Sequence, residues 1–176
     1  SNTVFDDNTS NLNSMGAALY SENNDIILSN VSVYNHDNAH ALFFSTFNSY
    51  ITAHNLTIYN NVNTRPFDCS EYQNVGTFNV TNSILWNNSA SDPIGICDDP
   101  NFSISYSNVQ GGTCDNCIDS NPLLCLEEYS DSGHRKLLEG SPCIDTGTID
   151  IDGNPGTWEI TDFIGLNPDM GAHEFS

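Results

Sequence analysis

Short segments with the same pattern of apolar and polar residues recur along the chain at nearly constant intervals. Three of them begin at Asn30, Asn55 and Asn82, and a fourth, less regular copy begins at Tyr106. The four segments are Asn30-Val-Ser-Val-Tyr-Asn35, Asn55-Leu-Thr-Ile-Tyr-Asn60, Asn82-Ser-Ile-Leu-Trp-Asn87 and Tyr106-Ser-Asn-Val-Gln-Gly111. Upstream, Val4-Phe5-Asp6 aligns with Val33-Tyr34-Asn35. Five successive repeats are therefore predicted between residues 1 and 112.

Apolar residues occupy every second position within the copies, which is the pattern of a β-strand that buries one face. If the strands lie over one another in register, equal positions stack into one internal apolar column. The predicted column consists of Val33, Ile58, Leu85 and Val109. Ser32 and Thr57 point to the opposite face of the strands.

Three of the copies end in Asn, namely Asn35, Asn60 and Asn87. Asn tolerates the left-handed backbone of a turn, and its amide can hydrogen-bond to the equivalent residue above and below it in a stack. The repeat therefore predicts a ladder of Asn side chains at the turn that follows each strand.

The short period of the repeat predicts an all-β fold of short strands wound into parallel coils. A helical solenoid would show apolar residues at three- and four-residue spacing, which the copies lack, and a β-propeller repeat is longer, at about 40 residues. An antiparallel sandwich is the alternative, although it gives no reason for Asn to recur at fixed intervals. Residues 1–112 are predicted to form the coils, and residues 113–176 a Cys-rich C-terminal coil and capping segment of the same domain.

The chain is strongly acidic, with 3 Lys and Arg residues against 23 Asp and Glu residues and a formal net charge of -20. This charge repels phosphate backbones and anionic lipids, so nucleic acid is not an expected partner. Because no apolar run reaches the about 18 residues of a membrane span, direct membrane insertion is not expected.

Clustered carboxylates attract hard cations, and structural calcium is a candidate ligand of the run Asp150, Asp152 and Asn154. Oxygen-bearing side chains alternate there beside a Gly, as at the start of a calcium loop. Turn chemistry alone is the alternative explanation of this run.

Six Cys in 176 residues indicate disulfides and an oxidising compartment, so a secreted or cell-surface location is predicted. The spacing of Cys69 and Cys97 is close to one repeat, which favours a bridge between adjacent coils. The remaining four are expected to pair within the terminal segment: Cys114, Cys117, Cys125 and Cys143. A metal half-site or redox motif at Cys114 and Cys117 is the alternative, but no second Cys pair or nearby His pair completes a zinc set.

Six sequence blocks follow one another in a characteristic order and spacing over about half of the chain. They are Asn82-Ser-Ile-Leu-Trp-Asn-Asn88, Ile104-Ser-Tyr-Ser-Asn-Val-Gln-Gly-Gly112, Asn121-Pro-Leu-Leu124, Gly140-Ser-Pro-Cys-Ile-Asp-Thr-Gly147, Asp150-Ile-Asp-Gly-Asn-Pro155 and Asp169-Met-Gly-Ala-His-Glu-Phe175. This series resembles the C-terminal region of bacterial right-handed parallel β-helix surface proteins of the "choice-of-anchor" type. The resemblance implies a right-handed, single-stranded parallel β-helix, and the start in mid-repeat implies upstream sequence. The chain departs from the family at Gly156, where Arg is usual, and at His173, where an aromatic residue is usual.

The predicted function is an extracellular structural or adhesive module that binds polysaccharide or assembles with copies of itself into filaments. Tyr34, Tyr59 and Trp86 share one repeat position and are candidates for stacking against sugar rings, the alternative being that they pack in the core or at the turn. The alternative is a polysaccharide lyase or glycoside hydrolase, because such enzymes share this architecture. Arg65 and His54 are the candidate catalytic pair, since proton abstraction from a sugar needs Lys, Arg or His. The chain is not expected to be a self-sufficient enzyme.

Overall fold

The computed structural model describes residues 3–6, 18–22, 25–36, 42–45, 50–61, 66–68, 77–88, 95–96, 101–112, 114–126 and 136–176. Within these ranges the chain contains eleven β-strands and no helix. The strands are β1 (Thr3–Asp6), β2 (Leu19–Glu22), β3 (Ile26–Tyr34), β4 (Leu42–Ser45), β5 (Tyr50–Tyr59), β6 (Phe67–Asp68), β7 (Thr77–Thr81), β8 (Ile84–Trp86), β9 (Gly95–Ile96), β10 (Phe102–Ser105) and β11 (Asn108–Val109). A helix long and apolar enough to cross a membrane is accordingly absent from the described residues. The prediction of an all-β fold is confirmed.

The strands form two sheets, and every strand pair in them is parallel. One sheet has the order β1-β3-β5-β7-β10, with β8 beside β5 and β11 beside β8. The other sheet has the order β2-β4-β6-β9. Neighbouring strands therefore come from successive repeats rather than from hairpins, and an antiparallel sandwich does not fit this topology.

The predicted apolar column is confirmed. Val33 lies opposite Ile58, and Leu85 lies opposite both Ile58 and Val109. These four side chains are between 0% and 1% exposed and belong to the main core cluster. Burial of an aliphatic side chain of this size contributes about 1.5 to 3 kcal/mol, so the column is a principal source of stability in the repeats.

Asn35, Asn60 and Asn87 form a ladder along one edge of the stacked strands. Their φ angles are 60°, 55° and 55°, which is the left-handed conformation that Asn tolerates. The Nδ2 of Asn60 donates to Oδ1 of Asn35 at 2.8 Å, and the Nδ2 of Asn87 donates to Oδ1 of Asn60 at 3.0 Å. The ladder continues upstream to Asp6, whose Oδ1 accepts from Asn35 Nδ2 at 3.0 Å. Asn thus provides both the left-handed turn conformation and the side-chain hydrogen bond between successive repeats.

The first repeat is shifted by one residue relative to the sequence alignment, which placed Val4 over Val33. Strand β1 instead pairs Phe5 with Val33 and Val4 with Ser32. Phe5 packs against the main core, whereas Val4 is 46% exposed. Because consecutive strand residues face opposite sides, a shift of one residue reverses which of them is buried. The larger apolar side chain takes the core position.

The outer face of the sheet is also buried where β5, β8 and β11 meet, which the alternating pattern did not predict. The column that points away from the main core consists of Ser32, Thr57, Ile84 and Asn108, and none of the four is more than 1% exposed. Residues 141–176, here called the C-terminal segment, lie over this column. The Ala172 N–H donates to Thr57 Oγ1 at 2.9 Å, and Met170 packs in one cluster with Ile84.

The C-terminal segment contains no strand, and carboxylates that accept backbone hydrogen bonds hold it together. Three side chains each accept two N–H groups from other parts of the segment: Asp145, Asp169 and Glu174. Asp169, for example, accepts from Asp145 at 2.8 Å and from Phe175 at 2.6 Å. These acidic residues belong to the blocks that carry the family resemblance, so a structural role accounts for their presence there.

Candidate functional site

An open cavity of about 790 Å³ is lined on one side by the C-terminal segment and on the other by strands β3 and β5. We call it the lateral cavity. The strands contribute Asn30, His54 and Asn55, and the segment contributes aromatic rings, carboxylates and hydroxyl groups. Its volume lies in the range of about 300 to 1,000 Å³ that is typical of small-molecule sites.

The strand side of the lateral cavity is shaped by a second row of left-handed Asn residues. Asn30, Asn55 and Asn82 have φ angles of 55°, 53° and 49°. Two of their side chains anchor the C-terminal segment: Asn55 Nδ2 donates to the Asp169 carbonyl oxygen at 3.0 Å, and Asn82 Nδ2 donates to the Thr148 carbonyl oxygen at 2.7 Å. The sequence reasoning missed this row, although the first Asn of each copy recurs at the same offsets as the last.

His54, one of the two candidate catalytic residues, lies on β5 and lines the lateral cavity. Its Nδ1 is 3.1 Å from Asn55 Oδ1. Burial lowers the pKa of His54 from its usual value, and the hydrogen bond to Asn55 partly opposes this effect. The neutral imidazole is therefore the favoured form at pH 7. Arg65, its predicted partner, lies outside the described residues, so the pair stays a prediction.

Carboxylates line the opposite side of the lateral cavity. Glu159 Oε1 accepts from the Gly156 N–H at 2.8 Å, and both oxygens of Glu174 accept backbone N–H groups. Burial raises the pKa of Glu174, while its backbone hydrogen bonds act in the opposite direction. Asp162 is the third carboxylate, and none of the described lining residues is Lys or Arg. The cavity therefore offers hydrogen-bond acceptors in excess of cationic donors.

Trp158 presents an indole at the lateral cavity and is 45% exposed. It lies on a short antiparallel pairing in which Asp150 is bridged to Glu159 and the Ile151 N–H donates to the Trp158 carbonyl oxygen at 3.2 Å. The sequence reasoning did not select Trp158. A signal was present, because this residue is one of two Trp in the chain and its flanking segment is polar.

The predicted calcium residues form the turn that joins the two arms of this pairing. Asp150 Oδ1 accepts from the N–H groups of Gly153 and Asn154, at 2.8 and 3.1 Å. Asp152 Oδ1 accepts from the Asn154 N–H at 3.0 Å, and its Oδ2 accepts from Thr157 Oγ1 at 2.7 Å. The hydrogen bond from Thr157 is the main reason why the pKa of Asp152 is lowered. Within the described ranges no group of three or more His, Cys, Asp or Glu residues is arranged to hold a metal ion, and calcium stays a prediction.

Two of the three predicted stacking residues line a second, smaller cavity of about 340 Å³, apart from the lateral cavity. Tyr59 and Trp86 are half-buried and line it together with leucine side chains such as Leu126. Tyr34 is only 3% exposed, so the expectation of an exposed stacking ring is wrong for this residue. Tyr34 is paired with Tyr59 on the adjacent strand.

A disulfide joins Cys114 and Cys117, two of the four cysteines that were expected to pair within the terminal segment. Cys125 and Cys143 are free thiols, which corrects the expectation that all four cysteines of the terminal segment pair. The Cys143 thiol is 0% exposed, and Asn108 Nδ2 lies 3.1 Å from its sulfur. Burial raises its pKa to about 11, so this thiol serves as a packed core residue. Cys69 and Cys97 lie outside the described residues.

Comparisons of the chain with protein-family models, with curated proteins and with solved structures find no match. The chemistry of the lateral cavity is therefore the basis on which a function is argued.

Proposed function

We propose that this chain is an extracellular, right-handed parallel β-helix module that binds uncharged or amino-sugar glycans in the lateral cavity. The resemblance to the choice-of-anchor surface proteins agrees with this role. The Cys114–Cys117 disulfide supports location in an oxidising compartment, either secreted or at a cell surface.

The order of the strands supports the β-helix. The chain passes back and forth between the two sheets, because β2, β4, β6 and β9 form one sheet and the strands between them, singly or as the pair β7 and β8, join the other. A chain that returns to the same sheet once in every repeat, always parallel to the preceding strand, winds as a coil. The right hand follows from the strong preference of parallel crossover connections for that hand.

The observation that carries the binding proposal is an exposed indole beside carboxylates and amides in one open cavity. Sugar rings stack their C–H faces on aromatic side chains, while their hydroxyl groups donate to acceptors placed around the ring. Because the described lining residues include no Lys or Arg, a uronate would meet carboxylates without a compensating cation. An uncharged or positively charged glycan is therefore the ligand class that fits.

The lack of Lys and Arg among the described lining residues also weakens the lyase alternative, since a lyase acting on uronates needs a cation to neutralise the substrate carboxylate. A glycoside hydrolase is the second candidate. It is favoured by the presence of Glu159, Asp162 and Glu174 in one cavity, since glycoside hydrolysis uses a pair of carboxyl groups.

The two Trp residues allow a direct test, because each cavity contains one of them. In the Trp86→Phe variant, Trp158 is the sole indole, and neutral or glucosamine oligosaccharides should change its emission in a saturable manner. In the Trp158→Phe variant, whose sole indole is Trp86, the emission should not respond. By calorimetry, Trp158→Ala should weaken binding about tenfold through the lost stacking.

Circular dichroism of each variant would show that the fold is retained. Absence of saturable binding by any oligosaccharide would contradict the proposal, as would an equal response from both single-Trp variants. New reducing ends after incubation would support the hydrolase instead. Assembly into filaments stays a separate prediction, for which negative-stain microscopy is the test.

A further inference from the structure

We infer that His54 is a specificity-determining residue of the lateral cavity, held with its proton on Nδ1 so that Nε2 accepts a hydrogen bond from the ligand. The inference rests on the proposed glycan binding and deepens it by naming the ligand chemistry. It selects glycans rich in hydrogen-bond donors, above all hexosamines that carry a free ammonium group.

The orientation of the neighbouring Asn55 amide determines the tautomer. Asn55 is 4% exposed, and its Nδ2 donates to the Asp169 carbonyl oxygen at 3.0 Å. A carbonyl oxygen only accepts, so the nitrogen of the amide must face Asp169 and the oxygen must face His54. Asn55 Oδ1 lies 3.1 Å from His54 Nδ1, and because an amide oxygen also only accepts, Nδ1 must carry the hydrogen.

In a neutral imidazole with hydrogen on Nδ1, the other ring nitrogen has a lone pair. No described residue is hydrogen-bonded to His54 Nε2, and this nitrogen is not among the buried polar atoms without a partner, so it is accessible on a residue that lines the lateral cavity. The C-terminal segment therefore has two roles at this site. Its Asp169 carbonyl fixes the Asn55 amide, and its side chains form the opposite cavity wall.

The groups around His54 agree with an acceptor role. The C-terminal segment contributes Glu159, Asp162 and Glu174, which are its titratable neighbours in the cavity. The residues beside His54 on the adjacent strands are Ser29 and Thr81, which carry no charge. Burial has the largest effect on the pKa of His54 and lowers it, whereas the hydrogen bond to Asn55 acts in the opposite direction.

Hydrogen-bond acceptors on both sides of the lateral cavity determine which ligands can bind. A neutral His54 and three carboxylates can receive hydrogen bonds from hydroxyl and ammonium groups, whereas a ligand carboxylate would have no donor opposite Nε2. An N-acetyl group replaces the ammonium donor by a single amide N–H and removes its charge. Glucosamine oligomers should therefore bind more tightly than N-acetylglucosamine oligomers, and uronate oligomers least tightly.

The tautomer can be tested without any ligand, by long-range ¹H–¹⁵N spectra of the full chain with ¹⁵N-labelled His at pH 7. We expect a protonated Nδ1 and an unprotonated Nε2 for His54. The opposite tautomer, or an imidazolium, overturns the inference whatever the protein binds.

Binding tests the functional part. His54→Phe keeps a ring of similar size and removes the acceptor, so the affinity for glucosamine oligomers at pH 7 should fall about tenfold, the equivalent of one hydrogen bond. Ser29→Ala, at the adjacent strand position, is the matched control and should bind as the wild type does. The difference between wild type and His54→Phe should shrink as the pH falls through the pKa of His54, which burial lowers from its usual value, because an imidazolium no longer accepts.

The outcomes separate the two proposals. If the wild type binds no glycan, the proposed function fails. If the wild type binds glucosamine oligomers and His54→Phe binds them equally well at every pH, the proposed function stands and the role of His54 is overturned.

Discussion

The repeats and the C-terminal segment are stabilised by different kinds of interaction. In the repeats, side chains of equal position stack in columns, and the backbone hydrogen bonds run between parallel strands. In the C-terminal segment, no strand is present, and carboxylates and amides bind the backbone N–H and carbonyl groups that a sheet would otherwise satisfy. The repeats therefore supply a regular surface, whereas the irregular segment supplies most of the side chains that line the lateral cavity.

The largest effect should come from breaking the column inside the repeats. Ile58 is 0% exposed and lies between Val33 and Leu85. Ile58→Ala should lower the free energy of unfolding by about 3 to 4 kcal/mol, because it removes buried surface and leaves a cavity. Urea denaturation measures the effect. Ile27→Ala is the matched control on the same strand stack, because Ile27 is 59% exposed and its truncation should cost less than about 0.5 kcal/mol. Equal decreases in the free energy of unfolding for the two variants would show that the inner column does not stabilise the repeats more than the exposed face does.

An intermediate effect should come from the contact between the two regions. Gly171 has a φ of +104°, and a Cβ there would lie 2.8 Å from Ile84 Cδ1 and 3.0 Å from Thr57 Oγ1. Gly171→Ala should therefore cost about 2 to 4 kcal/mol through strain and overpacking, and protease should cleave the C-terminal segment sooner than the repeats.

The control for Gly171 is Gly153→Ala, since Gly153 also has a positive φ, of +76°, but a Cβ there would meet nothing within 4 Å. The free energy of unfolding of that variant should fall by only about 1 kcal/mol, which is the backbone strain of placing Ala at a positive φ. If both variants behave alike in urea denaturation, close packing of the segment on the strands does not contribute to its stability.

The smallest effect concerns pH and lies within the C-terminal segment. Burial raises the pKa of Asp169 above its usual 3.8, so the folded chain holds this proton more tightly than the unfolded chain. The contribution of Asp169 to stability is therefore present below pH 3.8 and is lost as the pH rises through the folded-state value. Asp169→Asn should abolish this pH-dependent decrease in stability. It should also lower the free energy of unfolding by about 1 kcal/mol, because one backbone hydrogen bond is lost.

Asp152 provides a control of opposite sign. Its pKa is lowered by the hydrogen bond from Thr157, so its contribution is present above pH 3.8 and is lost as the pH falls through the lower folded-state value. Urea denaturation between pH 3 and 7 should show that Asp169→Asn and Asp152→Asn change the pH dependence in opposite directions. Changes in the same direction would contradict the assigned causes.

Much of the repeat region could be predicted from sequence because its signals are local and recur. Alternation identified the column of Val33, Ile58 and Leu85, and the recurrence of Asn identified the turn residues. The register of the first repeat was predicted wrongly, because Val4 and Phe5 are both apolar and one short strand does not distinguish them. Burial of the larger side chain decided the register in the folded chain.

The lateral cavity could be predicted only in part. His54 was selected for its chemistry, but nothing near it in the sequence indicates that the C-terminal segment faces it. Trp158 and the carboxylates reach the same cavity through contacts that have no local pattern. The disulfides show the same limit, because Cys114 and Cys117 are close in sequence and pair, whereas Cys143 is buried as a free thiol by residues from distant parts of the chain.

The amino-acid sequence by itself determined the stacked repeats of this protein, because an alternating pattern that recurs at nearly constant intervals buries its apolar side chains when like segments lie over one another. Only the tertiary structure decided where the C-terminal segment lies, and with it the lateral cavity and the tautomer of His54. The physical reason is that the decisive hydrogen bond, from Asn55 to the Asp169 carbonyl oxygen, joins residues 114 positions apart. Such a bond depends on the whole fold that brings the two together.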